Sequence, residues 1–398
     1  MAITEESVRA RFPALGRGQI YMDNAGGSQT LDTVIDSIKD YLTSTNVQLG
    51  ANYPVSKQST DMYTAAYAAG AGYINAELSE VVYGPSTTEL FRVLSFALKF
   101  AAGDEIILSA FDHEANIAPW VDMAERQGLE IKWWKPERTT DPRLLPADLE
   151  KIISKKTKFV ACTHVSNILG TIHDIKAIAK ITHDAGALLC VDAVAYAPHR
   201  AVDVKELGVD FYSFSWYKVY GPHLAILYGS SAAQQHMKSL GHYFNSHKTM
   251  ADKLGLAATS YELAQTIRHI VEYLGPQGSE TWKFISEQEE RLQVALLEYL
   301  RSRPEVTIYG VESSDPTLRV PTISFVVKGW DSKAFVEEFE SKTAYGFRWG
   351  AFYSNRLVID GLDLGNSGVV RVSLVHYNTR KCILGSFLFV VRVIYDAC

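Results

Sequence analysis

The stretch Phe214-Ser215-Trp216-Tyr217-Lys218-Val219-Tyr220-Gly221-Pro222 runs on into Leu224-Ala225-Ile226-Leu227-Tyr228. The second run is apolar throughout and reads as a buried strand, with Gly221-Pro222 marking the turn before it. Lys218 is thereby placed on a turn between two strands. That is a poor place for a solvated ammonium and a good one for an amine with a chemical role. The plain alternative, a surface lysine on a hairpin, fits most of the 39 Lys and Arg residues of the chain. Lys218 gains meaning only from what surrounds it.

Outward from this turn, strand-like runs alternate with helix-like ones. Val81-Val82-Tyr83 precedes a helical pattern over 88–100, Glu105-Ile106-Ile107-Leu108 one over 116–126, and Lys158-Phe159-Val160-Ala161-Cys162 one over 175–185. Further strands are predicted over 129–133 and 187–191. Such alternation predicts an α/β fold, a mainly parallel sheet covered by helices. Ligands of such sheets bind beyond the carboxyl ends of the strands. After about residue 275 the pattern changes. A charged helix over 280–302, strands over 306–309 and 322–327, a helix over 332–340 and a strand over 369–374 predict a smaller α+β domain. The expected organisation is an N-terminal segment (1–20) packed on the small domain, a large domain (21–275) and a small C-terminal domain (276–398). The last apolar run, 382–394, contains Arg392 and is too short for a membrane helix, so it reads as a packed terminal helix.

Composition narrows the function classes. The chain has 398 residues, 47% apolar and 21% charged, so its core needs neither disulfides nor a structural metal. A net charge of −6 argues against a general binder of nucleic acid or acidic membrane. The four cysteines, Cys162, Cys190, Cys382 and Cys398, are not at metal-site or redox-motif spacing. Cys162 and Cys190 lie inside apolar runs and are expected as buried thiols. The start of the chain has no secretory pattern, and a reducing, cytoplasmic location is expected. The eleven histidines show no ligand spacing, so no metal site is expected. No G-x-G-x-x-G turn follows the first strand, which argues against a Rossmann-type oxidoreductase.

The residues after each predicted strand carry the chemistry. After 81–83 comes Gly84-Pro85-Ser86-Thr87-Thr88-Glu89 at a helix start, where free N–H groups and the dipole suit a phosphate; Ser86 or Thr87 as a simple N-cap is the plain alternative. After 105–108 comes Asp112-His113-Glu114, with His113 at the sheet edge, able to stack on a flat ring or shuttle a proton. After 158–162 comes Thr163-His164-Val165-Ser166-Asn167. After 187–191 comes Asp192, a carboxylate that is costly to bury unless paired; a protonated pyridine nitrogen would pair it, as would a helix cap or salt bridge.

Phosphate loop, His113, Asn167, Asp192 and then Lys218 about 26 residues on form an order more specific than any of its members. In this order, and from Ile20-Tyr21-Met22-Asp23-Asn24-Ala25-Gly26-Gly27 to Arg371-Val372-Ser373-Leu374-Val375-His376-Tyr377-Asn378-Thr379, the chain resembles the class V aminotransferase group of fold-type I pyridoxal-phosphate enzymes, close to the cysteine-desulfurase-like proteins. The resemblance implies a seven-stranded-type sheet in the large domain. It implies pyridoxal 5'-phosphate held as a Schiff base on Lys218, with Asp192 on the pyridine nitrogen, His113 on the ring face and Asn167 near the ring hydroxyl. Thr87, Thr88 and Ser215 would hold the phosphate, with Ser86, Tyr217 and Ala195 also around the cofactor. Arg371 would bind the substrate carboxylate, with Asn24, Arg348 and Tyr353 on the substrate side. Thr259 matches a threonine that reaches the neighbouring subunit's phosphate, which implies a homodimer with shared sites. A protonated pyridine conjugated to an imine withdraws electrons from an amino-acid α-carbon, so loss of a proton or of carbon dioxide leaves a stabilised quinonoid carbanion.

The chain also departs from the desulfurases. They carry a cysteine five residues after an arginine in a small-domain loop; here that loop reads Arg348-Trp349-Gly350-Ala351-Phe352-Tyr353. Tyr353 takes the cysteine position, Tyr217 stands where many have His, and Ala195 where they have Gln or His. Trp349, Phe352 and Tyr353 suggest an aromatic wall, with packing as the alternative. The favoured function is a biosynthetic enzyme that captures the carbanion with an electrophile, similar to the fungal loline-pathway cyclase of this family, which closes a ring by a Mannich-type reaction. A C–S or C–Se lyase, an epimerase, and a non-catalytic cofactor-binding protein are the other readings.

Overall fold

A computed structural model describes residues 3–135, 137–380 and 383. Its strands in chain order are β1 (Ile20–Tyr21), β2 (Val81–Gly84), β3 (Glu105–Ser109), β4 (Glu130–Trp134), β5 (Thr157–Thr163), β6 (Leu188–Asp192), β7 (Phe211–Ser215), β8 (Ala225–Gly229), β9 (Val306–Tyr309), β10 (Thr322–Val327), β11 (Tyr345–Gly346), β12 (Arg348–Gly350) and β13 (Val369–Ser373). Seven form one sheet in the order β2-β8-β7-β6-β5-β3-β4. From β7 to β4 the pairs are parallel, and β8 runs against both of its neighbours. The expected mainly parallel sheet is therefore present.

Continuous apolar runs produce this sheet because both of its faces are covered. Successive side chains on a strand point to opposite faces. Val160 and Cys162 of β5 accordingly join one core, and Phe159 and Ala161 join the other. The crossovers Ala118–Gln127 and Ile175–Asp184 are helices, as the alternation predicts. The first starts two residues later than the predicted 116, because a 3-10 turn, Glu114–Asn116, comes before it.

The second sheet is antiparallel, in the order β12-β13-β10-β9. It is covered by the helix Glu280–Arg301, whose Leu292, Leu296 and Leu300 recur at one face and pack with Ile323 and Phe325. The start of the chain is stitched to this unit. β1 pairs in parallel with β11, and Asp23 bridges to Ser373. Arg9 Nη1 donates to the Tyr377 carbonyl at 2.7 Å, and Gln19 Nε2 to the Ala344 carbonyl at 2.6 Å. The expected terminal helix over 382–394 lies, apart from Ile383, outside the described residues. Among the described residues no helix is long and apolar enough to cross a membrane.

Candidate active site

β2, β5, β6 and β7 end on one edge of the large sheet, where a cavity opens beyond Gly84, Thr163, Asp192 and Ser215. Its wall carries Ser86, Thr87, Thr88, His113 and Asn167, then Asp192, Ala195, Ser215, Tyr217 and Lys218. These are ten of the positions singled out from sequence, drawn from five separate loops.

Lys218 is delivered by a 3-10 turn, Trp216–Lys218, that follows β7. The Trp216 N–H donates to the Leu224 carbonyl at 2.7 Å, and the Gly221 N–H to the Trp216 carbonyl at 2.9 Å. The backbone passes close at Gly221: a Cβ there would lie 2.4 Å from Ile270 Cδ1 and 3.2 Å from the Trp216 carbonyl oxygen. Lys218 is only 8% exposed. Burial lowers its pKa, the Arg371 guanidinium adds to this, and Asp192 opposes it. Asp192 is 5% exposed, and burial pushes its carboxyl upward against the Val194 N–H (2.9 Å to Oδ1) and the charge of Lys218. The amine and the carboxylate thus sense one another across the cavity. Among the described residues they form no ion pair.

The hydroxyls cluster at the start of the helix Thr87–Ala97. Thr87 Oγ1 and Ser215 Oγ lie 2.9 Å apart, Ser213 Oγ donates to Thr87 Oγ1 at 3.3 Å, and Ser86 Oγ caps the helix through the Glu89 N–H. Hydroxyl groups at the positive end of a helix suit a phosphate. His113 Nδ1 accepts the Ala115 N–H at 3.0 Å. Burial, then the charges of Lys218 and Arg371, bring its pKa down to about 4, so the ring is neutral near pH 7.

Asn167 has a second role that sequence did not show. Its Nδ2 donates to the Phe352 carbonyl at 3.1 Å and its Oδ1 accepts from Ser354 Oγ at 2.9 Å. It clips the loop 351–354 over the cavity. Phe352 and Tyr353 in that loop have φ of +50° and +60°, a left-handed conformation that bulky residues rarely adopt. The Glu114 N–H holds the Tyr353 carbonyl at 2.8 Å, and the Tyr353 ring sits 5.2 Å from that of His113.

Arg371 is 1% exposed and lies outside the cavity wall proper. Its Nη1 donates to the Asn167 carbonyl at 3.1 Å, its Nη2 pairs with Asp23 at 3.0 Å, and its guanidinium stacks 3.6 Å from the Phe352 ring centre. Its Nε is buried with no partner. Asp23, to which the sequence assigned no role, also takes Arg348 Nε at 2.6 Å.

Other expectations are placed differently. Arg348 meets Asp23 and not the cavity. Asn24 is 3% exposed with its amide used up: Nδ2 donates to the Ser373 carbonyl and Asn378 Oδ1, and Oδ1 accepts from the Tyr377 hydroxyl. Thr259 lies in the loop 255–260, off the wall of its own chain's cavity. Trp349 packs on the second core, because alternation along β12 turns it away from Arg348 and Gly350. Of the expected aromatic wall, Tyr353 stands beside His113 and Phe352 packs against the Arg371 guanidinium. Cys162 and Cys190 are buried in β5 and β6, far up in pKa through burial.

Comparison with known proteins agrees with this geometry. The class-V aminotransferase family model matches residues 20–383. The chain is 55% identical over 379 residues to the aminotransferase-like protein FGM3 of Gibberella zeae, covering 94% of each. It is 41% identical over 387 residues to the cysteine desulfurase-like protein ustD of Aspergillus flavus, covering 95% of this chain and 88% of that one. A cysteine desulfurase structure from Thermococcus onnurineus superposes with a TM-score of 0.87 at 26% identity, covering 100% of both chains.

Pyridoxal phosphate is the cofactor of this family, and the residues present fit it. Lys218 and Asp192 are buried and form no ion pair, which is costly for their charged forms; an aldehyde on the amine and a protonated pyridine nitrogen on the carboxylate would relieve it. The hydroxyl cluster offers a phosphate seat, and neutral His113 offers a flat face. With 20–383 matched to one family model and relatives spanning nearly its whole length, the chain belongs to the class-V aminotransferases, as a pyridoxal-phosphate-dependent enzyme with cysteine desulfurase-like relatives.

Proposed function

We propose that the protein is a biosynthetic carbon–carbon bond-forming enzyme, a Mannich-type cyclase that joins a nucleophilic carbon of an amino-acid substrate to an electrophile and does not transfer sulfur. The observation that carries this reading is Tyr353. It stands where similar desulfurases have their sulfur-accepting cysteine, and its ring faces His113 at 5.2 Å. Cys162 and Cys190 are locked inside the sheet.

When bound, pyridoxal phosphate withdraws electrons from the substrate's α-carbon. Asp192 would keep the ring nitrogen protonated. Lys218, its pKa lowered by burial, would anchor the aldehyde carbon and, once free, carry the α-proton. Neutral His113 would cover the ring without adding charge. Thr87, Thr88 and Ser215 would hold the phosphate end, with Ser86, Tyr217, Asn167 and Ala195 around the rest of the cofactor. Arg371 would take the α-carboxylate through Nε, its buried nitrogen without a partner. A cytoplasmic homodimer completes the reading, with Thr259 reaching the partner's phosphate seat; its place off its own cavity supports this.

Purified holoenzyme should be yellow, and borohydride should fix the cofactor to Lys218. In deuterated water, a panel of amino acids should reveal one that exchanges its α-hydrogen or loses carbon dioxide. Cysteine with reductant should yield little sulfide; rapid stoichiometric sulfide release would overturn the reading.

A further inference from the structure

We propose that Ser354 is a positioning residue: its hydroxyl fixes which end of the Asn167 amide faces the cofactor's ring oxygen, and so how firmly the neighbouring imine nitrogen keeps its proton. The inference rests on the reading that sets Asn167 beside that oxygen, and not on the bond the enzyme makes.

Asn167 follows β5 and lines the cofactor cavity, where it is 9% exposed. Its amide is held from two sides. Nδ2 donates to the Phe352 carbonyl at 3.1 Å, and Oδ1 accepts from Ser354 Oγ at 2.9 Å. A backbone carbonyl can only accept, so the nitrogen must be the end that meets Phe352. The oxygen is then the end that meets Ser354, whose hydroxyl donates. An amide nitrogen carries two N–H groups. Among the described residues one of them is used, at Phe352, and the other is left to donate to a ligand.

The backbone beneath this amide is fixed as well, since Arg371 Nη1 donates to the Asn167 carbonyl at 3.1 Å. The side-chain amide can still turn about its last torsion. Turned over, it would set Oδ1 against the Phe352 carbonyl, acceptor against acceptor. The Phe352 bond alone would oppose this. Ser354 adds a second bond from a site only 1% exposed, where a lost partner is not replaced by water.

The hydroxyl is not needed to hold the loop. The Tyr353 carbonyl accepts from the Glu114 N–H at 2.8 Å, the Ser354 N–H donates to the Ala351 carbonyl at 2.8 Å, and the Ser354 carbonyl accepts from the Val358 N–H at 3.0 Å. Backbone bonds thus keep 351–354 in place. Among the described residues Ser354 Oγ has Asn167 as its one partner.

While the imine nitrogen on Lys218 holds its proton, the ring oxygen beside it carries negative charge and attracts that proton. A donor on the oxygen takes up part of the charge and loosens the proton. Without the Ser354 hydroxyl the amide turns more freely, the donor bond weakens, and the imine keeps its proton to higher pH.

The test is a pH titration of the holoenzyme's visible absorption, which changes when the imine loses its proton. Ser354→Ala should raise the midpoint by about 0.5–1 pH unit, the worth of one hydrogen bond. Ser354→Thr keeps the hydroxyl and should restore the wild-type midpoint. Asn167→Ala should raise it at least as far, and adding Ser354→Ala to that variant should raise it no further. An unchanged or lowered midpoint in Ser354→Ala overturns the proposal. So does an equal rise in the Ala and Thr variants, which would make the loss one of packing. Additive shifts overturn it too, because Ser354 would then act without Asn167. If Asn167→Ala leaves the midpoint unchanged, the placement of Asn167 beside the ring falls along with the proposal. The readout does not depend on turnover, so it holds whether or not cysteine is desulfurated.

Discussion

Asp23 accepts a hydrogen bond from the Arg371 guanidinium at 3.0 Å, with only 14% and 2% of the two side chains exposed. The carboxylate thereby neutralises a buried cation whose Nε has no partner among the described residues. Asp23→Ala removes one partner of a buried pair and leaves the other charge uncompensated. It should cost about 3–5 kcal/mol of stability and raise the amino-acid KM more than it lowers kcat. Arg348→Ala should cost less than about 1 kcal/mol, since that side chain is 54% exposed. Urea denaturation together with steady-state kinetics separates the two, and equal losses would mean that Asp23 acts through Arg348.

Asp192 should show opposite effects on stability and turnover. Burial raises its carboxyl pKa, so in the cofactor-free protein its contribution to stability is present below the unfolded value and is lost as pH rises through the raised folded one. At pH 7 the buried charge is a liability. Asp192→Asn keeps an acceptor for the Val194 N–H and should stabilise the cofactor-free chain by roughly 1–3 kcal/mol. Turnover of the loaded enzyme should fall by about 100-fold or more. A cofactor-free Asn variant that unfolds more easily would show that attraction to Lys218 outweighs burial.

His113 gives a prediction in pH. Its folded pKa of about 4 lies below the ordinary 6.5. Between these values the unfolded chain binds a proton that the folded chain refuses. Stability from this group is therefore complete above pH 6.5 and lost as pH falls toward 4. His164, His173 and His376, each pulled down to about 3 by burial, act in the same direction. His113→Phe should flatten the dependence of cofactor-free stability by about 1.4 kcal/mol per pH unit across that window, one proton's worth. Denaturation midpoints at about pH 5 and pH 6 measure it, and an unchanged slope would mean that His113 is protonated in the folded state.

The large sheet was legible because parallel strands bury both faces. The run predicted over 158–162 became Thr157–Thr163, and that over 187–191 became Leu188–Asp192. The cavity residues were legible for a related reason: each follows directly on a strand, so order along the chain encodes position on one edge. Asp23 and its pairing with the two arginines were not. Asp23 is brought to Arg348 and Arg371 by the pairing of β1 with β11 and by its own bridge to Ser373, and pairings between residues more than 300 positions apart leave no local pattern. Trp349 was grouped with Phe352 and Tyr353 because composition does not reveal which face of a three-residue strand a side chain takes.

The loop 351–354 gives the sharpest contrast between neighbours. Phe352 and Tyr353 share nearly the same left-handed backbone, φ +50° and +60°, a conformation that costs a non-glycine residue roughly 1–2 kcal/mol. Glycine removes that strain but loses about 1 kcal/mol through the freedom of the unfolded chain. Tyr353 is 73% exposed, so its ring contributes little burial. Tyr353→Gly should therefore leave stability unchanged or raise it by up to about 1 kcal/mol. Phe352 lies under the Arg371 guanidinium at 3.6 Å, where a desolvated cation–π contact is worth about 2 kcal/mol. Phe352→Gly should destabilise by at least about 1 kcal/mol despite the same relief of strain. Thermal and urea midpoints of the two variants decide whether strain or stacking weighs more in this loop. If Tyr353→Gly lost as much as Phe352→Gly, the exposed ring would be holding the loop, and Tyr353 would be structural rather than a wall of the site.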